Sequence, residues 1–342
     1  KCWGGNDFGQ LGLGDTRDRG RWANYMGVNL PSVDLGANWT IVEVAAGGGH
    51  TCARLENGAA RALKCWGWNM LGQLGLGDTL TRGGEGGSMG DSLPAVQLGT
   101  GRSAVALALG TRHSCALLDD ASVKCWGRNK NGDLGLGDSQ NRGDGAGEMG
   151  EALPAVDLGA GRTVVQLAAG SHHTCALLDN GQLKCWGRNF RGQLGIGDMV
   201  DRGRGIRNDM GANLPSVDVG AGWTVVEVAA GATHTCTRLK NGAARALKCW
   251  GYNAAGQLDL GDTNYRGYVE EGMGDSLPAV QLGTGRSAVV LALGSYHSCA
   301  LLDDASVKCW GRNREGQLGL GDVNNRGDGG GGMDDSLPAV PL

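Results

Sequence analysis

The chain has 342 residues, 65 of them glycine and only seven phenylalanine or tyrosine, and this composition runs evenly from end to end. Many short strands joined by tight turns are expected, and layers of amphipathic helices are excluded. The formal charge of -4 without any basic run argues against nucleic acid, and apolar stretches such as 288–293 fall far short of the roughly 20 residues that span a bilayer.

The chain opens on Lys1-Cys2-Trp3-Gly4, in the middle of a repeating unit, from which a processed, engineered or truncated N-terminus is expected. The same KCWG returns at Lys64, Lys124, Lys184, Lys248 and Lys308, at spacings of 63, 60, 60, 64 and 60 residues. Each unit then carries an asparagine, a GQLGLGD-like loop, an acidic loop ending in Arg-Gly, a methionine, LPAV or LPSV, an apolar run and HxC. Six units begin and the last stops before its HxC, so residues 1–342 read as a single domain of six repeats. Residues 1–183 also match 184–342, which points to duplication of three units together.

Within a unit the turn signals separate four strands, for example 164–169, 173–178, 182–187 and one around 214–219. Four short antiparallel strands make a propeller blade, so the fold class is all-β, a β-propeller of four-stranded antiparallel blades. Five complete blades and half of a sixth are visible. The triple duplication favours six blades in the parent, against seven from the family habit described below.

Ten of the eleven cysteines form five local pairs: Cys52 with Cys65, Cys115 with Cys125, Cys175 with Cys185, Cys236 with Cys249, and Cys299 with Cys309. Each pair flanks a hairpin. Where Asp179-Asn180-Gly181 makes a three-residue loop, Leu178 faces Gln182, and counting outward sets Cys175 opposite Cys185, within reach of a disulfide. Two hairpins, 56–63 and 240–247, carry three extra residues, and bridges are expected there too. Such bridges imply an oxidising compartment: extracellular, periplasmic, lumenal or at the cell surface. The competing readings are metal ligation by HxC and plain buried thiols. Cys2 is left without a partner.

The pattern CWGxNxxGQLGLGD, followed by an apolar run and GxxHxCALxxxGxxKCWG, resembles the regulator of chromosome condensation repeat family over essentially the whole chain. The resemblance implies a propeller, typically of seven blades. For function it implies little, since the scaffold serves nuclear nucleotide exchange factors, bacterial β-lactamase inhibitors and a plant UV-B photoreceptor. The cysteine pairs and the long acidic loops depart from the nuclear members and are closer to secreted ones.

Trp3, Trp66, Trp126, Trp186, Trp250 and Trp310 occupy one place per unit and read as packing between blades, with a coupled photoreceptive cluster as the alternative. Asp15, Asp78, Asp138, Asp198, Asp262 and Asp322 each precede an arginine by four residues and read as organisers of the glycine loops; calcium binding is the alternative cofactor reading, and otherwise no cofactor is expected. His50, His113, His173, His234 and His297 read as strand residues hydrogen-bonded within each blade. No catalytic triad recurs, so no catalytic or metal residue is assigned and no enzyme is expected. The candidate partner-binding residues are the variable ones inside the acidic loops: Trp22, Tyr25, Ile206, Arg207, Tyr265 and Tyr268. The expectation is a non-enzymatic scaffold binding a protein partner or larger assembly, without nucleic acid or membrane insertion. Alternatives are a nucleotide exchange factor for a small GTPase and a calcium- or carbohydrate-binding module.

Overall fold

A computed structural model describes residues 1–22, 25–206, 208–329 and 334–341. Its regular elements are fifteen strands in five three-stranded antiparallel sheets, joined by loops and single 3-10 turns. The strands are β1 Thr40–Ala46, β2 His50–Asn57 and β3 Ala60–Gly67; β4 Ala104–Leu109, β5 His113–Leu118 and β6 Val123–Gly127; β7 Val164–Ala169, β8 His173–Leu178 and β9 Leu183–Gly187; β10 Thr224–Ala230, β11 His234–Asn241 and β12 Ala244–Gly251; β13 Ala288–Leu293, β14 His297–Leu302 and β15 Val307–Gly311. The chain forms two units, one of residues 1–130 and 138–156 with the first two sheets, the other of residues 131–137 and 157–342 with the remaining three. Among the described residues no helix is long and apolar enough to cross a membrane.

Each sheet is a meander of the apolar run, the HxC strand and the KCWG strand, as the sequence predicts. The fourth strand is present only in outline. In residues 214–219 one bridge joins Ser216 to Lys184, and the Val217 amide donates to the Leu183 carbonyl at 2.8 Å. Pro215 explains the truncation, since proline has no N–H for a ladder. The same single bond recurs from Val96 to Leu63 and from Val280 to Leu247.

The hairpin registers follow the turns. Gly181 takes a φ of +79° and closes the three-residue loop onto the Leu178 carbonyl. In the longer hairpins β2 and β3 extend until Asn57 faces Ala60 across a two-residue turn, with Gly58 at a φ of +59°. Cys52–Cys65, Cys115–Cys125, Cys175–Cys185, Cys236–Cys249 and Cys299–Cys309 are all disulfides, with Cα atoms 4.1 Å apart. The three extra residues are absorbed as two further cross-strand pairs and a turn one residue shorter, so the bridges keep their place.

Packing within each unit runs from one repeat to the next. Trp66, Trp126, Trp186, Trp250 and Trp310 are fully buried, and each indole donates to a backbone carbonyl of the preceding repeat: Gln10, Gln73, Asp133, Gln193 and Gln257. A Cβ at Gly75 would meet the Trp126 indole nitrogen at 2.7 Å, so glycine lets the loop approach the ring there without displacing it. Trp3, in contrast, is 62% exposed, and Cys2 carries no bridge.

The histidines correct the sequence reading. His50 Nε2 lies 2.8 Å from Ser114 Oγ, His173 Nε2 3.0 Å from Thr235 Oγ1, and His234 Nε2 2.9 Å from Ser298 Oγ, so these bonds join neighbouring repeats instead of closing within one blade. The ring sits at the first residue of its strand and reaches sideways, where the second HxC position of the next repeat offers a hydroxyl. The template lysines are also buried: Lys64 Nζ donates to the Leu35 and Gly90 carbonyls, a tethered cation where two loops meet.

Candidate partner-binding surface

The acidic loops are held by two repeated devices. The amide and carbonyl of the KCWG glycine exchange hydrogen bonds with the arginine that closes the loop, as in Gly251 with Arg266. That arginine also pairs with the aspartate four residues before it, Asp262 with Arg266 at 2.6 Å and likewise Asp15 with Arg19, Asp78 with Arg82, Asp138 with Arg142, Asp198 with Arg202 and Asp322 with Arg326. These carboxylates also accept loop amides, for example Asp262 from Asn264 at 2.8 Å. The organising role expected of them is thereby met by charge-assisted bonds. Glu148 accepts the Gly143 and Gly145 amides, and among the described residues no group of three or more His, Cys, Asp or Glu side chains is placed to hold a metal ion. In HxC the sulfur lies in a disulfide and the His50 and His234 rings face hydroxyls, which removes both as ligands.

One end of each sheet presents the variable residues. The residue after CWG donates its amide to the carbonyl of the residue before the histidine: Trp68 to Gly49, Arg188 to His172, Tyr252 to Thr233, and Arg312 to Tyr296, all at 2.8 to 2.9 Å. Two template positions that are free to vary are thus set side by side on adjacent strands. A third, the residue before the loop glycine of NxxG, leans over the same end.

In the second unit these positions build a continuous aromatic and arginine surface. The Arg188 guanidinium lies 3.9 Å from the Phe190 ring centroid. Arg191 stands within 4.7 Å of Phe190, 5.1 Å of Tyr265 and 5.3 Å of Tyr252. Tyr252 is 4.9 Å from Tyr265 and 5.9 Å from Tyr296, on which Arg312 lies at 5.9 Å. Burial, with the neighbouring Tyr265 hydroxyl, pushes the Tyr252 hydroxyl above the ordinary tyrosine range. His172 approaches Asp133 at 3.3 Å, a contact possible because aspartate stands where other repeats carry glutamine. In the first unit a smaller group forms, Phe8 with Trp68 at 5.7 Å and Arg112 over Trp68 at 5.1 Å.

Of the candidates named from sequence, Tyr265 falls within the large surface, drawn beside Tyr252 by the Arg266–Gly251 bridge. The Tyr268 backbone packs on Gly192, next to Arg191. Ile206 is 74% exposed, Trp22 is 60% exposed with Arg21 beside its ring at 5.6 Å, and Tyr25 is exposed near Arg19. Arg207 lies outside the described residues. Arg188, Phe190, Arg191, Tyr252 and Tyr296 were missed. Their signal was available: they vary inside the otherwise repeated CWGxNxx and GxxH segments.

A family model described as RCC1-like domain matches residues 1–340. The ultraviolet-B receptor UVR8 of Arabidopsis thaliana is 30% identical over 93% of this chain and 62% of its own length. The regulator of chromosome condensation of Drosophila melanogaster is 27% identical over 94% of this chain and 52% of its own length, so the chain spans only part of these relatives. Among solved structures, Prp20p from Saccharomyces cerevisiae, studied for its binding to Gsp1p and histones, aligns with a TM-score of 0.65 at 24% identity, covering 93% of this chain and 67% of that one. Human WBSCR16 aligns with a TM-score of 0.67 at 20% identity, covering 99% of this chain and 75% of that one. These likenesses show the fold, a β-propeller.

Proposed function

The chain belongs to the RCC1-like domain family, and from that premise we propose that it is a single propeller domain without chemistry of its own, which binds a protein partner through the strand ends and loops of one face. The observation that carries this reading is the Arg188–Phe190–Arg191–Tyr252–Tyr265 surface. Aromatic rings and arginines are the side chains that anchor interfaces, and here they occupy positions the fold does not need for packing. Five disulfides support work in an oxidising compartment, as part of an extracellular or lumenal assembly.

The test is capture of partners from culture fluid and cell extract of the source organism, with the wild-type chain and a Tyr252→Ala/Tyr265→Ala variant of unchanged melting temperature. A protein retained by the first and lost from the second is the expected result; identical captures sink the reading. The exchange-factor alternative draws on the likeness to regulators of chromosome condensation. It requires release of nucleotide from a small GTPase on addition of the chain.

A further inference from the structure

We propose that the surface around Arg188 and Arg191 receives an acidic segment of a protein partner, with carboxylates at the guanidinium edges and an apolar side chain against the tyrosines; this rests on the reading of that surface as a partner site.

Most of the other described arginines of the same unit are already paired. Arg202, Arg238, Arg266, Arg286, Arg312 and Arg326 each pair with a carboxylate of the chain. Among the described residues no salt bridge joins Arg188 or Arg191 to a carboxylate: the Arg188 guanidinium lies by the Phe190 ring, and that of Arg191 sits among the rings of Phe190, Tyr252 and Tyr265. A guanidinium held against aromatic rings by cation–π attraction keeps its N–H groups for other partners, and their fork matches the bidentate geometry of a carboxylate. Stacking also removes much of the rotamer freedom that a free arginine would lose on binding. The two side chains come from one segment, Arg188–Arg191, and share the Phe190 ring. They therefore suit closely spaced carboxylates on one peptide.

Charge decides against a long polyanion. The loops flanking the surface carry Asp198, Asp201, Asp262, Glu270 and Glu271, and the whole chain is at -4. A phosphate backbone would meet these along its length, whereas a short acidic peptide meets only the arginines. The partly buried rings of Tyr252 and Tyr265 add an apolar floor that phosphates cannot use.

The experiment is fluorescence anisotropy with a fluorescein-labelled Glu-Glu-Leu-Glu-Glu peptide, with the Gln-Gln-Leu-Gln-Gln and Lys-Lys-Leu-Lys-Lys peptides as controls. Binding of the acidic peptide alone is expected, weakened about tenfold or more by Arg188→Ala and by Arg191→Ala. Arg191→Lys should recover little, because a lysine does not stack in plane or offer a fork. Arg245→Ala should change nothing, as that side chain bonds to carbonyls of its own hairpin turn. Coincident melting curves establish that the variants fold. Equal binding of the glutamine peptide, or binding insensitive to both alanine variants, overturns the proposal. So does tighter binding of a thymidine oligonucleotide, which would make the surface a phosphate reader. A dimer in sedimentation that Arg191→Ala dissolves would assign the surface to a second copy of the chain and overturn it as well. If the acidic peptide fails while capture still depends on Tyr252 and Tyr265, only the partner chemistry is wrong; if both fail, the binding face itself is.

Discussion

His50 Nε2 and Ser114 Oγ lie 2.8 Å apart across two repeats, and the serine hydroxyl in turn donates to the Gln73 carbonyl at 2.8 Å. The ring is fully buried with Nδ1 unpartnered, and burial, together with the nearby His113, pulls its pKa down to about 3; His234 is held the same way, by burial and His297. Unfolding returns both to an ordinary histidine value near 6.5, so between pH 6.5 and about 3 the unfolded chain binds protons that the folded chain refuses. Stability is therefore full above pH 6.5 and falls as pH drops, by about 1.4 kcal/mol per pH unit for each histidine. Urea unfolding at pH 7 and pH 5 measures the loss. A His50→Gln variant with the same slope as wild type would contradict the assignment.

Asp259 should push the other way. It stands where the other repeats have Gly12, Gly75, Gly135, Gly195 and Gly319, takes a left-handed φ of 54°, and is 1% exposed with neither carboxylate oxygen hydrogen-bonded. Burial raises its pKa to about 7; Lys308 opposes the shift and Asp334 adds to it. Here the folded chain holds a proton that the unfolded chain releases near pH 4, so the ionisation cost of Asp259 is absent below pH 4 and grows until about pH 7, on top of a backbone strain that does not change with pH. Asp259→Gly should stabilise the protein by about 2 to 4 kcal/mol at pH 7.5, with less gain at pH 4.5. Denaturation of both proteins at the two pH values checks this, and a gain independent of pH would leave only the backbone strain as its cause.

How much of this was legible depended on whether the sequence reported a local or a sideways relation. Cys175 opposite Cys185 could be counted from Gly181, because a three-residue loop sets register and register sets every later pair. The burial of Trp66 followed from repetition alone. The direction of His50 did not, since the partner hydroxyl lies on the next sheet and is 64 residues away. The strand at 214–219 was overread because LPSV has strand-like side chains while Pro215 withholds an amide. Variation is obvious in the long loops, whereas Arg191 and Tyr252 vary inside the most repetitive segments, where the constant template around them hides it. Tyr265 is legible because it lies in a long loop, and the Arg266–Gly251 bridge carries it to the surface.

Thiol chemistry offers a direct check on compartment and fold together. Protein purified without reductant and unfolded in guanidinium should yield one reactive thiol, Cys2, because the other ten cysteines are bridged. Each bridge closes a loop of 10 or 13 residues and contributes roughly 3 kcal/mol by the chain-entropy relation. Full reduction should therefore lower the melting temperature sharply, whereas a Cys115→Ser/Cys125→Ser variant should lose only its own share. Eleven reactive thiols in freshly isolated protein would refute the oxidising location.

The hairpin tips give the smallest effect. Ala121 and Ala305 occupy the position that Gly181 fills in the third hairpin, at φ of 63° and 66°. An L-residue with a Cβ is strained there by about 1 kcal/mol, and the strain is local because the tip is solvent-facing. Ala121→Gly and Ala305→Gly should each raise stability by a few tenths of a kcal/mol, about 0.5 at most, after the extra backbone freedom of glycine in the unfolded chain is subtracted. The sites lie in different units, so the double variant should show the sum of the two gains. Chemical denaturation of the two single variants and the double variant is the measurement. A loss on either substitution would mean that the alanine methyl packs favourably enough to outweigh its backbone cost.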